Sequence, residues 1–167
     1  MSAQGRVDRV WGLMEEIGIA MVVTHEGEGD QLRARPMAAH PAREENAVYF
    51  LTDVAAGKLG EINHNANVCL AFADVKGRKF VSVSGQASIS DDRDKIRQLW
   101  SVAEKACWSD ETDPAIRVLR VSPDDAEYWR SPGAVVTYVK MIVASVTGGK
   151  PDFDHDHEKA SLSRVLR

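Results

Sequence analysis

The sequence predicts a mainly β protein with peripheral helices, built on a six-stranded antiparallel barrel. β-rich runs recur along the chain, turn-rich stretches separate them, and neither a linker nor an internal repeat divides it. The 167 residues, 44% hydrophobic and 28% charged, suffice for one domain with a sizeable core. The predicted strands are residues 19–24, 32–39, 47–52, 68–73, 79–89 and 116–121.

An amphipathic helix and a β-hairpin open the chain. Apolar residues recur at helical spacing over residues 7–17, and Gly18 supplies a stop. The stretch 26–30 is rich in glycine and acidic residues and predicts the turn between the first two strands. Pro36 lies inside the second strand. Because proline cannot donate to a β-ladder, this strand is expected at a sheet edge or at a bulge.

Short helices separate the later strands. Asp53 follows the third strand and predicts the cap of a short helix that runs through Asn63. Residues 75–78 form the predicted turn between the fourth and fifth strands. The Asp pair at 91–92 marks the start of a helical region that continues through Trp108.

The last predicted helix covers residues 134–146, although its β-branched composition would favour a strand. A Ser-Pro pair at 131–132 fits an N-cap followed by proline at the first helical position. Apolar residues then recur at helical spacing, and a glycine pair at 148–149 ends the helix. We therefore place the domain at residues 1–149 and expect a polar, loosely ordered tail at 150–167.

The composition excludes several classes of protein. A net charge of −4 disfavours nonspecific nucleic-acid binding, which requires a basic face. Cys69 and Cys107 lie far apart without a CxxC motif, which argues against a disulfide framework and a thiolate zinc site. No apolar run approaches the roughly 20 residues of a membrane span, and the N-terminus lacks a signal-peptide pattern. We therefore expect a cytoplasmic protein that binds neither membranes nor nucleic acid.

A metal site is not expected. The tail segment 154–158 (DHDHE) could chelate a metal weakly, but it has no evident third ligand-bearing element. His25, His40 and His64 have no cysteine or acidic partners at ligand spacing, so solvated or capping roles are expected for them.

Three segments occur in an informative order. The triplet Arg35-Pro36-Met37 precedes the run 49–53 (YFLTD), and Lys58 follows. This series resembles the pyridoxamine 5′-phosphate oxidase-like FMN-binding split-barrel superfamily, and more narrowly its general-stress-protein branch. The resemblance extends over residues 7–148. Later segments that continue it are 113–114, 118–121 and 124–129.

The resemblance implies a homodimeric split β-barrel that holds two FMN molecules at its interface, with both subunits contributing to each site. Arg35 and Lys58 match phosphate-contacting residues, and Met37 matches a residue beside the isoalloxazine ring. Trp129 and Trp108 match aromatic residues near the cofactor. The implied cofactor-binding residues are Arg35, Pro36, Met37, Phe50, Leu51, Thr52, Asp53, Gly57, Lys58, Trp108 and Trp129.

These residue types suit FMN. Arginine and lysine can bind the phosphate, and Gly57 allows close approach of the backbone to it. Strand backbone groups can pair with the polar edge of the flavin, while tryptophan and methionine can cover its flat face. Plainer interpretations stay open at this point: Arg35 as a solvated strand residue, Lys58 as an exposed helix lysine, and the pair 52–53 as a helix cap.

The expected function is that of an FMN-dependent oxidoreductase with a stress-related role and a nicotinamide or another small electron partner. One alternative is a flavin-binding stress protein without turnover. Others are the same fold with deazaflavin or haem, or a dimerisation module with a vestigial site. True pyridoxamine 5′-phosphate oxidase activity is not expected, because the last segment lacks the arginine- and histidine-bearing strand associated with substrate phosphate. Ser109 and residues 111–112 depart from the branch pattern in the loop expected to cover the flavin.

Overall fold

The computed structural model describes residues 2–26, 30–56, 58–131, 141 and 156–163. This part of the chain forms three α-helices and eight β-strands. In chain order they are α1 (Ala3–Ile17), β1 (Ile19–His25), β2 (Leu32–Ala38), β3 (His40–Ala42), β4 (Ala47–Asp53), α2 (Lys58–His64), β5 (Asn67–Asp74), β6 (Lys79–Ser90), α3 (Arg93–Leu99), β7 (Ile116–Arg130) and β8 (Asp156–Ser161).

The strands form one antiparallel sheet that curls into a half-barrel. Seven strands follow the order β2-β1-β5-β6-β7-β4-β3, and β8 pairs with β7 beside this path. The mainly β fold with peripheral helices is confirmed, but the expected number of six strands is wrong. The sequence pattern missed β3, which has only three residues, and β8, which is almost entirely polar.

Helix α1 packs its apolar stripe against the barrel and ends where the sequence predicts. Val10, Trp11 and Met14 are buried in the core. Gly18 adopts a φ of 71°, a left-handed conformation that glycine adopts without strain, and its N–H donates to the carbonyl of Met14. The helix begins earlier than predicted, because the hydroxyl of Ser2 accepts a hydrogen bond from the N–H of Gly5.

The first hairpin is confirmed, with β2 as an edge strand. Met21 of β1 lies opposite Pro36 of β2, and β1 pairs on its other side with β5. β2 stands at the end of the strand order, so the missing N–H of Pro36 interrupts no inner ladder.

Two helix boundaries differ from the prediction. Asp53 does not cap α2; it ends β4, and its carboxylate accepts a hydrogen bond from the N–H of Ala55. Asp92 caps α3 as predicted, but the helix stops at Leu99 instead of Trp108. Beyond it, Trp100 is extended and a separate 3-10 turn forms over Glu104–Ala106.

Strand β7 is much longer than predicted and pairs with three other strands, β4, β6 and β8. The sequence suggests a strand ending at residue 121, because Pro123 and two acidic residues follow. The structure continues the strand to Arg130, with Pro123 accommodated beside a bulge between Ser84 and Gly85 of β6. A proline tolerated at a bulge agrees with its missing backbone donor.

The tail is partly ordered as β8, contrary to the expectation of a loosely ordered segment. β8 pairs with residues 125–130 of β7 and buries Ala160, while Leu162 is buried just beyond it. The helix predicted over 134–146 lies outside the described residues apart from Met141, which is helical. No helix in the described part of the chain has the length and apolar character needed to cross a bilayer.

β4 separates two layers of the core. Val48 and Phe50 point into the barrel, while Tyr49 and Leu51 pack in an outer cluster with Ile96 of α3. Because both faces are covered, almost every residue of this strand is buried. The end of β4 is thereby held firmly between the barrel and α3.

Candidate functional site

A cavity of about 290 Å³ lies between β2 and β4, where the half-barrel stays open. Its walls come from three sources: β2, the end of β4 with the following turn, and the segment after α3. The lining is mostly apolar. It consists of Pro36, Met37, Ala38, Leu51, Thr52, Asp53, Ala56, Ala103, Glu104, Cys107 and Trp108.

The end of β4 has an unpaired backbone edge. β7 pairs with one side of β4 from Val48 to Asp53. On the other side, β3 reaches only from Ala47 to Tyr49. No strand in the described part of the chain therefore pairs with this side of residues 50–53. Backbone groups of alternate residues point to this side, and the hydrogen bond from the N–H of Val54 to Ala115 sets the alternation so that residues 50 and 52 bond to β7. The N–H and C=O of Leu51 and the N–H of Asp53 are therefore available to a ligand with a polar edge, while the carbonyl of Asp53 accepts from the N–H of Ala56.

Thr52 has a buried hydroxyl without a hydrogen-bond partner among the described residues. Its side chain is only 3% exposed. Thr24 on β1 is equally buried, but its hydroxyl donates to Glu61 at 2.6 Å and accepts from Arg35 at 3.1 Å. Because buried polar groups are nearly always paired, the Thr52 hydroxyl indicates a ligand or an ordered water in the cavity.

Trp108 forms a wall of the cavity and is fixed by Asp53. The indole Nε1 donates a hydrogen bond to Oδ2 of Asp53 at 3.2 Å. The N–H of Ala55 and then this indole hold the pKa of the Asp53 carboxyl below its usual value. The cavity therefore contains a carboxylate that is ionised at neutral pH and a flat aromatic surface oriented by it.

Glu104 provides a second carboxylate in the cavity wall. Its Oε1 lies 2.8 Å from Nε2 of His40, and its Oε2 accepts hydrogen bonds from the N–H and hydroxyl of Ser101. Burial alone would raise the pKa of Glu104, but the hydrogen bonds from Ser101 and His40 outweigh burial and leave the pKa below its usual value. Glu104 is therefore a buried anion held by three donors.

The structure brings together six of the eleven residues implied in cofactor binding. These are Pro36, Met37, Leu51, Thr52, Asp53 and Trp108. Phe50 is fully buried in the barrel core and does not line the cavity. Gly57 and the side chain of Lys58 lie outside the described residues, although Lys58 begins α2.

Arg35 is engaged inside the protein. Its Nη1 and Nη2 donate to the two carboxylate oxygens of Glu61 at 2.9 and 2.7 Å. This bidentate pair joins β2 to α2, and Arg35 is not among the residues that line the cavity. It is thus neither a simple solvated residue nor placed in the cavity wall, and its contact with a phosphate stays a prediction.

Trp129 lies thirteen positions along β7 from Ile116, the residue that pairs with Asp53 beside the cavity. Its indole stacks on His157 of β8, with ring centroids 5.0 Å apart and an interplanar angle of 6°. In this chain it does not line the cavity, and its contact with a cofactor stays a prediction.

Sequence reasoning missed the wall formed after α3. The sequence predicts a continuous helix through Glu104 and Cys107 and a solvated or capping role for His40. The partners Glu104 and His40 are 64 residues apart, so no local spacing brings them together. Only the resemblance around Trp108 indicated that this segment approaches the site.

The sequence is similar to that of known proteins. The chain matches the family model of pyridoxamine 5′-phosphate oxidase-like proteins over residues 5–152. It is 27% identical over 157 residues to the protein bli-3 of Neurospora crassa, an alignment that covers 87% of this chain and 75% of bli-3.

Solved structures share the fold. A general stress protein 26 from Jannaschia sp. CCS1 superposes with a TM-score of 0.73 at 17% identity, over 96% of this chain and 99% of that protein. A general stress FMN/FAD binding protein from Xanthomonas citri gives 0.62 at 22% identity, over 74% and 87%. A pyridoxamine 5′-phosphate oxidase-related, FMN binding protein from Nostoc punctiforme gives 0.61 at 12% identity, over 98% and 97%.

Proposed function

Because this chain belongs to the pyridoxamine 5′-phosphate oxidase-like family, we propose that it binds FMN in the cavity between β2 and β4 and acts as a flavin-dependent oxidoreductase. The general-stress neighbours suggest a stress-related role. The observation that carries the proposal is the buried, unpartnered hydroxyl of Thr52 beside the unpaired edge of β4.

The cavity fits an isoalloxazine ring in shape and chemistry. Leu51, Met37 and Trp108 offer apolar and aromatic surface for a flat ring, while the Thr52 hydroxyl and the backbone of Leu51 and Asp53 offer partners for its polar edge. A volume of about 290 Å³ is near the lower limit of small-molecule pockets. It suits the ring system, so the ribityl phosphate would extend beyond it, with Lys58 and Arg35 as its candidate partners.

Bound FMN would supply electron or hydride transfer, as flavins do in oxidoreductases. The chain's own residues would bind and orient the ring: the free edge of β4 would hold its polar side, and Trp108, which is fixed by Asp53, would cover a flat face. A nicotinamide or another small molecule would serve as the electron partner at the exposed side of the ring.

A second copy of this chain would complete the site. The outer face of β1, β2 and β5 is largely apolar and exposed, with Ile19, Met21 and Leu32 among its residues. Pro36 lies opposite Met21 on this face and also lines the cavity. A partner docked there would therefore stand beside the cavity and could enclose the remainder of the cofactor.

Replacing Thr52 by valine is expected to have opposite effects on binding and stability. Affinity for FMN should fall about tenfold through the loss of one hydrogen bond. The cofactor-free protein should gain about 1 kcal/mol in free energy of unfolding, because an unsatisfied buried hydroxyl is removed. Flavin fluorescence titration and urea unfolding measure the two effects.

Thr24→Val is the matched control for this substitution. It removes an equally buried hydroxyl that is fully bonded, so it should destabilise the protein by about 1–3 kcal/mol. If Thr52→Val also destabilises the protein and leaves FMN affinity unchanged, the Thr52 hydroxyl is not a cofactor contact.

The absorption spectrum after adding FMN and removing excess tests the cofactor itself. A retained flavin spectrum supports the proposal, and its reduction by NADH or NADPH followed by reoxidation with turnover supports an enzyme over a non-catalytic carrier. A protein that retains no FMN contradicts it. Deazaflavin or haem would then be recognised by their own spectra after the same treatment.

If the protein is a dimer, light scattering should give a native mass of twice the chain mass of 18.4 kDa. Met21→Glu places a charge on the proposed interface and should yield monomers that lose FMN. Val102→Glu changes a residue that is 82% exposed and lies on neither this face nor the cavity wall, so it should leave the dimer intact. A monomeric wild-type protein that binds FMN would contradict the shared site.

A further inference from the structure

We propose that the carboxylate of Glu104 makes the cavity hold the oxidised, uncharged flavin ring more tightly than the reduced, anionic ring, and so lowers the reduction potential of the bound cofactor. This inference rests on the proposed binding of FMN in the cavity.

Glu104 is built into the cavity as a fixed charge. Its side chain is only 4% exposed, yet it lines the same cavity as Met37 and Thr52. The N–H of Ser101 at 3.0 Å, the Ser101 hydroxyl and Nε2 of His40 at 2.8 Å all donate to it. These donors keep the carboxylate in place and ionised, so a ring in the cavity meets a charge that cannot swing into solvent.

The cavity wall carries no compensating cation among its described residues. Its other charged group is Asp53, which is also an anion. The nearby arginines donate their hydrogen bonds to other groups. Arg35 pairs with Glu61, and Arg117 donates to the carbonyls of Pro114 and Ile116, although the charge of Arg117 also helps to lower the pKa of Asp53. His40 contacts Glu104 from outside the lining residues.

The charge change on the ring determines the direction of the effect. Two-electron reduction by a reductant such as dithionite, with uptake of one proton from water, would convert the uncharged ring into one that bears a single negative charge. A nearby fixed anion repels this product but not the starting ring, and the repulsion is strong in a partly buried site. Charge placed near the ring is one of the ways in which proteins adjust flavin potentials.

The test compares the FMN-loaded wild type with Glu104→Gln, which keeps the side-chain shape and removes the charge. Fluorescence titration yields the dissociation constant of oxidised FMN, and anaerobic titration with dithionite in the presence of a reference dye yields the potential. We expect the ratio of dissociation constants, reduced over oxidised, to fall about tenfold, which raises the potential by about 30 mV for a two-electron couple.

Cys107 offers a second variant in the same cavity that leaves the hydrogen bonds of Glu104 untouched. Cys107 is exposed, so Cys107→Lys adds a positive charge there and should shift the ratio in the same direction. Cys107→Ser adds no charge and should change it less than twofold. Glu15→Gln removes an exposed charge on α1, outside the cavity, and should have no effect.

The outcomes distinguish a failure of this inference from a failure of the proposed function. A ratio unchanged in a folded Glu104→Gln that binds FMN normally overturns the inference, while the proposed function stands. If Glu104→Gln does not fold, an unchanged ratio in Cys107→Lys overturns it instead. A wild-type protein that retains no FMN removes the proposed function, and this inference with it.

Discussion

Replacing Glu61 by alanine is expected to lower the free energy of unfolding by about 3 kcal/mol, one of the two largest effects predicted for a single substitution in this protein. Glu61 is nearly fully buried and receives hydrogen bonds from Arg35 and Thr24. Without it, the guanidinium and the Thr24 hydroxyl lose their shared acceptor. Arg35 is 31% exposed, which places the loss at the lower end of the range for broken buried pairs. Urea unfolding followed by circular dichroism measures it.

Two controls separate this pair from ordinary surface charges. Glu16→Ala removes an exposed partner of Lys79 and should cost less than about 1 kcal/mol. The double substitution Arg35→Met with Glu61→Met removes both charges and should cost clearly less than Glu61→Ala. A small loss for Glu61→Ala would contradict the assignment of this pair as the link between β2 and α2. The affinity of the folded Glu61→Ala variant for FMN would show whether Arg35, once it has lost Glu61, contacts the phosphate.

Replacing Gly85 by alanine is expected to destabilise the protein by about 3 kcal/mol. A Cβ at this position would lie 2.4 Å from the carbonyl oxygen of Ser122, which belongs to the backbone of β7 and cannot rotate away. The bulge between β6 and β7 would have to open where Pro123 already removes a ladder donor. Overpacking of this kind costs 1–3 kcal/mol in typical cores, and a backbone neighbour places Gly85 at the upper end.

Gly12→Ala is the matched control and should act in the opposite direction. A Cβ at Gly12 on the exposed side of α1 meets nothing within 4 Å. Alanine favours the helix by about 0.5–1 kcal/mol over glycine, so this variant should be more stable than the wild type. If both substitutions change the free energy of unfolding only slightly, the backbone of β7 can move to accommodate a Cβ at residue 85.

The elements that could be predicted from the sequence are those whose pattern is local. β4 is predicted correctly because six of its seven residues are buried, and the end of α1 is predicted correctly because its apolar stripe stops at a glycine. β8 is missed because a strand paired along one edge shows mostly polar residues, with Ala160 alone buried among those whose exposure is described. The early end of α3 is missed because Ser101 bonds to Glu104 in a separate turn.

The same distinction applies to the site. The ordered series of motifs located the residues contributed by β2 and β4, and six of its implied residues do line the cavity. The series could not show whether Arg35 binds a phosphate or pairs with Glu61 inside the protein. Arg35 and Glu61 come together only when β2 and α2 pack against each other. Nor could the series show the carboxylate of Glu104 in the cavity wall, because its partner His40 lies in a distant segment of the chain.

The arrangement of strands around β7 also bears on how the protein is made. One edge of β7 is divided, with residues 116–121 covered by β4 and residues 125–130 covered by β8. β4 is synthesised long before β7, but β8 follows it by some 25 residues. A nascent chain on the ribosome therefore exposes an unpaired strand edge until residue 161 has emerged. An unpaired strand edge can pair with the edge of another chain. We therefore expect this protein to be prone to aggregation during synthesis, before β8 covers residues 125–130 of β7.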